Sequence, residues 1–346
     1  MANLGNGRAT KQNRAGSPRG DMSRLFRLRI VLLICALQVV CFADSVADQK
    51  VVAKALVFSK AGKMDQAEAL LRSASTANPN SATLHAALGQ LLLSVHKFDD
   101  AVMELGQAAQ QKPESAKYNL LAAEALIGAQ RYPTAVKFLK AIEPRFGNDA
   151  HFHYQLGVAY YYESNLNATL AELQEAVRLS PRFERAEFLL ANCLVVSGET
   201  LKALTIFRRL AREHPNNAFY WATLGIKGVH VDKGGSAEES LLAVRHALAL
   251  APDDNYVQIA AATVFTQTGQ YKEARPLLEG LEKVAPGELE PHTLLVQVYA
   301  RLGERDLAQK EIEIVEKLQK EAAAKQAAQP SVATPGEDGQ GSPSQP

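Results

Sequence analysis

Between residues 48 and 318 the apolar and polar positions follow one long period, and prolines mark it. Pro79 and Pro113 stand 34 residues apart, Pro181 lies 68 beyond with Gly147 midway, Pro215 follows after 34, Pro252 after 37 and Pro286 after 34. A constant step of this size means a repeated supersecondary unit. It gives eight units, starting at 48, 82, 116, 150, 184, 218, 255 and 289, the sixth carrying a three-residue insertion. Within the unit, positions 4, 7, 8 and 11 recur at spacings of three and four, which places them on one face of a helix. Positions 20, 24 and 27 do the same on a second helix. Position 8 is Ala55, Gly89, Ala123, Gly157, Ala191, Gly225, Ala262 and Val296; position 20 is alanine in six units and Thr169 in the fourth. Small residues there predict close approach of two antiparallel helices. Larger apolar residues fill the space around them: Leu71, Leu105, Leu139, Leu173, Phe207 and Leu278 at position 24, Phe58, Leu92 and Leu126 at position 11. Position 15 is Gly62, Gly198, Gly269 and Gly303, a turn between the helices. The proline at position 32 ends the second helix, because the residue before a proline is pushed out of helical geometry.

Two flanking segments break this pattern. From Glu311 to about Ala328 the chain is Glu, Lys, Ala and Leu throughout, a continuing helix able to cap the last apolar face while Lys317, Lys320 and Glu321 stay in water. Residues 329–346 are Pro, Gly, Ser, Gln and Asp, too polar to order themselves. At the other end, residues 1–21 are polar; then Arg24, Arg27 and Arg29 precede the apolar run 30–43, closed by Asp44. Basic segment, short apolar run and small residues near Cys41 and Ala43 have the form of a secretory signal. The run is short against the ~20 residues of a membrane span. A cleaved signal and an uncleaved anchor are the two expectations, with secretion or a periplasmic location under the first and single-pass attachment under the second.

The columns identify the repeat. Trp221, Leu224 and Gly225 stand at positions 4, 7 and 8 of the sixth unit, Leu156, Gly157, Tyr160, Ala176 and Pro181 mark the fourth, and Gly269, Tyr271, Ala274 and Pro286 the seventh. The pattern resembles the tetratricopeptide repeat over 48–318. The resemblance implies an all-α, right-handed superhelix of about eight helix-turn-helix pairs. It also implies a concave groove that binds protein segments through positions 2, 5, 9, 12 and 13 of the first helices. Carried onto this chain, those positions are His151, Tyr154, Val158, Tyr161 and Tyr162 in the fourth unit, and Arg185, Phe188, Asn192, Val195 and Val196 in the fifth. They are Phe219, Ala222, Ile226, Val229 and His230 in the sixth, and Tyr256, Ile259, Thr263, Thr266 and Gln267 in the seventh. The candidate groove is therefore aromatic and aliphatic: Tyr154, Tyr161, Tyr162, Phe188, Phe219, Ile226 and Tyr256, with Arg185 and Asn192 as polar handles. The alternative for these side chains is packing between neighbouring repeats. The carboxylate clamp of chaperone-binding relatives is missing, since its Lys and Asn positions hold Val52 and Leu56 in the first unit and recur paired in no other. Asn192 alone does not make the asparagine ladder of the glycosyltransferase relatives.

Charge and chemistry narrow the function. Lysine plus arginine total 38 against 37 acids, which argues against a nucleic-acid protein. Residues 1–43 carry +6 of a whole-chain +1, leaving −5 for the rest. Of three cysteines, only Cys193 lies outside the apolar run, so neither a disulfide framework nor a cysteine zinc site is expected. The eight histidines fall in many repeats, and His151 and His153, two apart on a helix, point different ways. Asp99-Asp100 and Asp253-Asp254 read as helix-capping pairs. Gly234-Gly235 falls in the inserted turn. No cofactor and no metal are expected. The reading is a non-catalytic scaffold, exported or membrane-tethered, whose partner is a protein or peptide, with membrane anchoring through residues 30–43 if that run is not cleaved. The alternative is an anchored assembly or tethering factor of an envelope complex; an enzyme ranks third.

Overall fold

The computed structural model describes residues 46–229 and 237–328, with side chains to 325. The amino-terminal signal or anchor, His230, Gly234-Gly235 and the carboxy-terminal tail lie outside the described residues. Sixteen helices and no strands occupy the described part. They are α1 (46–60), α2 (Met64–Ala77), α3 (Ala82–Ser94), α4 (Phe98–Gln111), α5 (Ala116–Gly128), α6 (Tyr132–Phe146), α7 (Ala150–Tyr162) and α8 (Leu166–Leu179). Then follow α9 (Glu184–Val196), α10 (Thr200–Glu213), α11 (Ala218–Gly228), α12 (Ala237–Leu250), α13 (Asn255–Gln267), α14 (Tyr271–Val284), α15 (Leu289–Leu302) and α16 (Arg305–Ala328). Seven of the eight expected unit starts coincide with the first residue of a helix, and the 37-residue step reappears between α10 and α12. The first unit forms its helix pair like the others.

Local chemistry sets each boundary. Ser81, Ser115, Asp149, Asn217 and Asp254 are N-caps whose side chains accept from backbone N–H groups one turn into the first helix. Second helices preceding a position-32 proline end two residues before it; α6, whose unit has Gly147 instead, runs one residue longer. The turn at position 15 takes a left-handed backbone in the seven units where it is among the described residues: Gly62, His96, Gln130, Ser164, Gly198, Gly269 and Gly303 all have φ between 58° and 85°. Across it the N–H of position 16 donates to the carbonyl of position 11, as from Lys97 to Leu92 at 2.9 Å and from Glu304 to Tyr299 at 2.9 Å. This is the Schellman closure, and it fixes the angle at which each second helix leaves the first.

Contacts divide the chain into two compact units, one ending at Glu163 with α1–α7 and one beginning at Ser164 with α8–α16. In each unit a helix packs on its successor, and first helices of neighbouring repeats also touch directly, α3 on α5 and α5 on α7 in the first unit, α11 on α13 and α13 on α15 in the second. The small columns are buried as expected: Ala67, Ala101, Ala135, Ala203 and Ala274 at position 20 have no exposed surface, and Ser240 takes that place in the sixth repeat, shifted by its insertion. A Cβ on Gly225 would stand 2.4 Å from Val244 Cγ1, and one on Gly89 2.4 Å from Leu105 Cγ. Close approach is therefore what the glycines at position 8 permit. Cys193 is buried and free, and burial raises its thiol pKa, which suits an inert packing role. Along α16, Ile312, Val315 and Leu318 are half-buried while Lys317, Lys320 and Glu321 face water.

Position 4 departs from the apolar reading. His85 Nε2 meets the Pro79 carbonyl at 2.9 Å, and His153 Nε2 the Gly147 carbonyl at 2.9 Å. Asn119 Nδ2 donates to Pro113 O at 3.2 Å, Trp221 Nε1 to Pro215 O at 2.9 Å and Gln258 Nε2 to Pro252 O at 2.7 Å, while His292 Nε2 lies 3.1 Å from Pro286 O. Six of the eight units thus hold the carbonyl of the position-32 residue, just past the end of the preceding second helix. Glu187, with no proton to give, takes Arg209 Nη2 at 2.5 Å instead. Read one by one the histidines are scattered; read in register, His85, His153 and His292 share one column and one task.

Candidate protein-binding surface

The aromatic residues expected in the groove fall into two clusters, one in each compact unit. In the second unit Phe188 on α9, Phe219 on α11 and Tyr256 on α13 form a row, with ring centroids 5.2 Å apart between the first two and 4.9 Å between the last two. Successive first helices deliver them because Phe219 and Tyr256 both hold position 2 and Phe188 position 5, one turn on. Phe219 and Tyr256 remain 40% and 36% exposed; Phe188 is half-buried, its ring edge also 5.8 Å from the buried Phe207. The Tyr256 hydroxyl is 2.9 Å from Thr223 Oγ1, and burial raises its pKa while that bond lowers it. Beneath the row the Tyr220 hydroxyl donates to Glu184, and burial, then that carboxylate, hold it protonated well above the usual tyrosine range.

The row runs toward a hollow of about 200 Å³ lined by Tyr256, Ile259, Leu281, Ala285 and Pro291, with Glu288 and Glu290 exposed at its rim. An apolar floor with two carboxylates at the edge suits an apolar side chain followed by a cation. Arg185 is exposed on α9, where the row begins. A second hollow, of about 670 Å³, lies among α10, α11 and α12, with Trp221, Leu242 and His246 in its wall and the Arg208–Glu239 pair, 2.7 Å long, beside them.

In the first unit Tyr161 and Tyr162 are 46% and 52% exposed at the end of α7. Tyr162 stacks on Tyr132 of α6, centroids 4.9 Å apart and planes within 9°, and meets Tyr161 edge-on. Tyr154 is half-buried two turns earlier on the same helix.

Several expected groove positions are not surface. Ala222, Thr263 and Thr266 are buried, and the two threonine hydroxyls donate back to Ile259 O and Ala262 O of their own helix. The cause is the direct packing of α13 against α11 and α15, which covers the flanks of the helix. Ile226 is half-buried against a cluster holding Ala222, Val257 and Ala260. Asn192 spends its amide on Phe188 O, 2.9 Å away, which takes that donor from any ligand. Tyr132, Glu288 and Glu290 were missed from sequence. Tyr132 stands on a second helix and Glu288 just before a first helix, outside the five groove positions; Glu290 holds position 2, but of the eighth unit, beyond the four units in which the groove was expected.

Successive helix pairs presenting an aromatic face define a repeat scaffold of the protein-binding class. Tetratricopeptide-repeat family models match residues 52–110, 92–156 and 154–218, and the coatomer epsilon subunit model matches 229–339. The chain is a tetratricopeptide-repeat protein. A stretch of 135 residues is 27% identical to cellulose synthase 2 operon protein C of Komagataeibacter xylinus, over 39% of this chain and 10% of that protein, so the chain spans about a tenth of that relative's length. Among solved structures, the Cut9–Hcn1 hetero-tetramer of the APC/C matches 63% of this chain and 42% of its own at 13% identity, with a TM-score of 0.52. The pilF protein of Pseudomonas aeruginosa matches 72% of this chain and 97% of its own at 15% identity, with a TM-score of 0.46. The first of these two likenesses speaks to the fold alone, an all-α tetratricopeptide solenoid.

Proposed function

We propose that this protein is a non-catalytic scaffold whose second unit binds an extended peptide segment along the Phe188–Phe219–Tyr256 row. The observation that carries the reading is the row itself: three rings on three successive first helices, two of them more than a third exposed. Exposed aromatic surface of this kind marks an interaction site, and rigid aromatics dominate the affinity of interfaces that use them. The hollow past Tyr256, apolar with Glu288 and Glu290 at its rim, points to a peptide with aromatic or branched apolar side chains followed by lysine or arginine. The apolar run 30–43 with its basic flank supports a site of action outside the cytoplasm, as an exported protein or a tethered arm that assembles an envelope complex. The relative named for a cellulose synthase operon is in keeping with an assembly role.

Selection of a displayed random-peptide library on the full chain tests the binding reading. Enriched peptides carry the apolar–basic pattern and lose at least tenfold in affinity to F219A, more than ~1 kcal/mol for a true anchor. F219A unfolds at nearly the native temperature, because a half-exposed ring has few core contacts to lose. Enriched peptides that bind F219A and Y256A as well as the native chain sink the proposal.

A further inference from the structure

At the carboxy-terminal end of the second unit, Glu282 of α14, His292 of α15 and Glu311 of α16 each bring a ligand atom within 4.8 Å of the other two. His292 and Glu311 are buried and Glu282 half-buried. We propose that these three side chains form a divalent transition-metal site, of the class that takes Zn2+, which staples the last repeat and its capping helix together. It is separate from the peptide-binding row and does not rest on it.

The argument begins with the imidazole. With its Nε2–H donated to the Pro286 carbonyl at 3.1 Å, a neutral His292 ring presents the Nδ1 lone pair to Glu311 Oε2, 2.7 Å away. Two lone pairs do not face each other at that distance unless a proton or a metal ion lies between them. A backbone carbonyl holding the far N–H is also how metal-binding histidines are commonly oriented. The protein contains its own control. In the second repeat His85 Nε2 faces Pro79 O at 2.9 Å and Nδ1 faces Glu104 Oε2 at 2.6 Å, the same arrangement at the same repeat positions. There the place of Glu282 is taken by Ser75, whose hydroxyl donates to its own helix at Arg72 O. One carboxylate and one shared proton leave that pair neutral.

The second carboxylate, Glu282, is what the His85 pair lacks. It makes no hydrogen bond or ion pair with any described residue, yet it lies beside a carboxylate already facing the histidine. With a proton between ring and Glu311 the cluster carries −1; with a divalent ion it is neutral. One imidazole and two carboxylates suit Zn2+ with solvent completing the shell. Tetrahedral Zn2+ places ligand atoms about 3.4 Å apart, so Nδ1 and Oε2 need separate by less than an ångström. Because the ligands come from three helices, binding would tie α16 to α14 and α15.

Competition of Zn2+ between the full chain, freed of metal by chelator, and a chromophoric chelator tests the site, with Co2+ absorption reporting coordination. E282Q should weaken Zn2+ binding by about tenfold or more and remove the Co2+ bands of a low-coordinate site. Its melting temperature in chelator should stay native, since Glu282 has no partner to lose. E104Q, at the control pair, should leave Zn2+ affinity unchanged. Zn2+ should raise the melting temperature of the native chain and of E104Q, and not that of E282Q. Equal Zn2+ affinity in native and E282Q protein, or equal loss in E282Q and E104Q, overturns the proposal.

Discussion

Replacing glycine by alanine inside a helix should have opposite signs at different glycines of this protein, and the geometry fixes which. In an open helix the change is favourable by about 1 kcal/mol, because alanine loses less backbone entropy on folding. Gly106 in α4 and Gly280 in α14 have nothing within 4 Å of where a Cβ would stand, so both should follow this rule. Gly225 in α11 should not. Its Cβ would lie 2.4 Å from Val244 Cγ1 and 3.0 Å from the Ser240 carbonyl oxygen. Contact between carbons is comfortable at about 3.5–4.0 Å, so the overlap exceeds an ångström. Neither neighbour can give cheaply, because a valine in a helix has one strongly preferred rotamer and the oxygen belongs to the backbone of α12. Overpacking of this kind costs up to about 3 kcal/mol, which outweighs the gain and leaves a net loss of about 2 kcal/mol. Gly89 is intermediate: its Cβ would meet only the Leu105 side chain, at 2.4 Å, but that leucine is fully buried and has little room to move. Denaturation followed by helical circular dichroism gives all four values. G106A and G280A should raise the midpoint, G225A should lower it most and G89A less. A gain in G225A as large as in G106A would refute the assigned repeat phase and the close helix approach built on it.

Two further outcomes are expected. At position 15, H96G and Q130G should stabilise by about 0.5–1 kcal/mol, because a left-handed backbone strains any residue with a Cβ more than it costs glycine in entropy; calorimetry of each variant checks this, and a loss in both would mean that the side chains contribute more than the strain. The mature chain should begin near Asp44 if the basic-apolar segment is a cleaved signal; recovery of peptides spanning residues 30–50 from native extracytoplasmic protein would establish the anchor instead.

The repeat was legible because it is written in small residues and breakers, whose effects are local. Proline at position 32, glycine at position 15 and a small residue at position 8 each constrain the backbone within a few residues, so helix starts at Ala82, Ala116 and Glu184 could be placed from the sequence. Even the left-handed turns at His96, Gln130 and Ser164, which hold no glycine, follow from the column they share with Gly198 and Gly269. The exposure of the first-helix positions was not legible in this way. Thr263 and Thr266 stand at positions that the family uses for binding, yet α13 is buried there because it packs directly on α11 and α15. With 3.6 residues per turn, each residue steps 100° around the helix. A modest rotation of one repeat against the next therefore exchanges a surface position for a buried one without altering the sequence pattern. The seam at position 4 depended on tertiary structure for the same reason. His85, Asn119, Trp221 and Gln258 have little in common as residue types beyond an N–H to donate. Each reaches the carbonyl six residues earlier only once the turn between two repeats has folded and set the first turn of one helix against the end of the one before it.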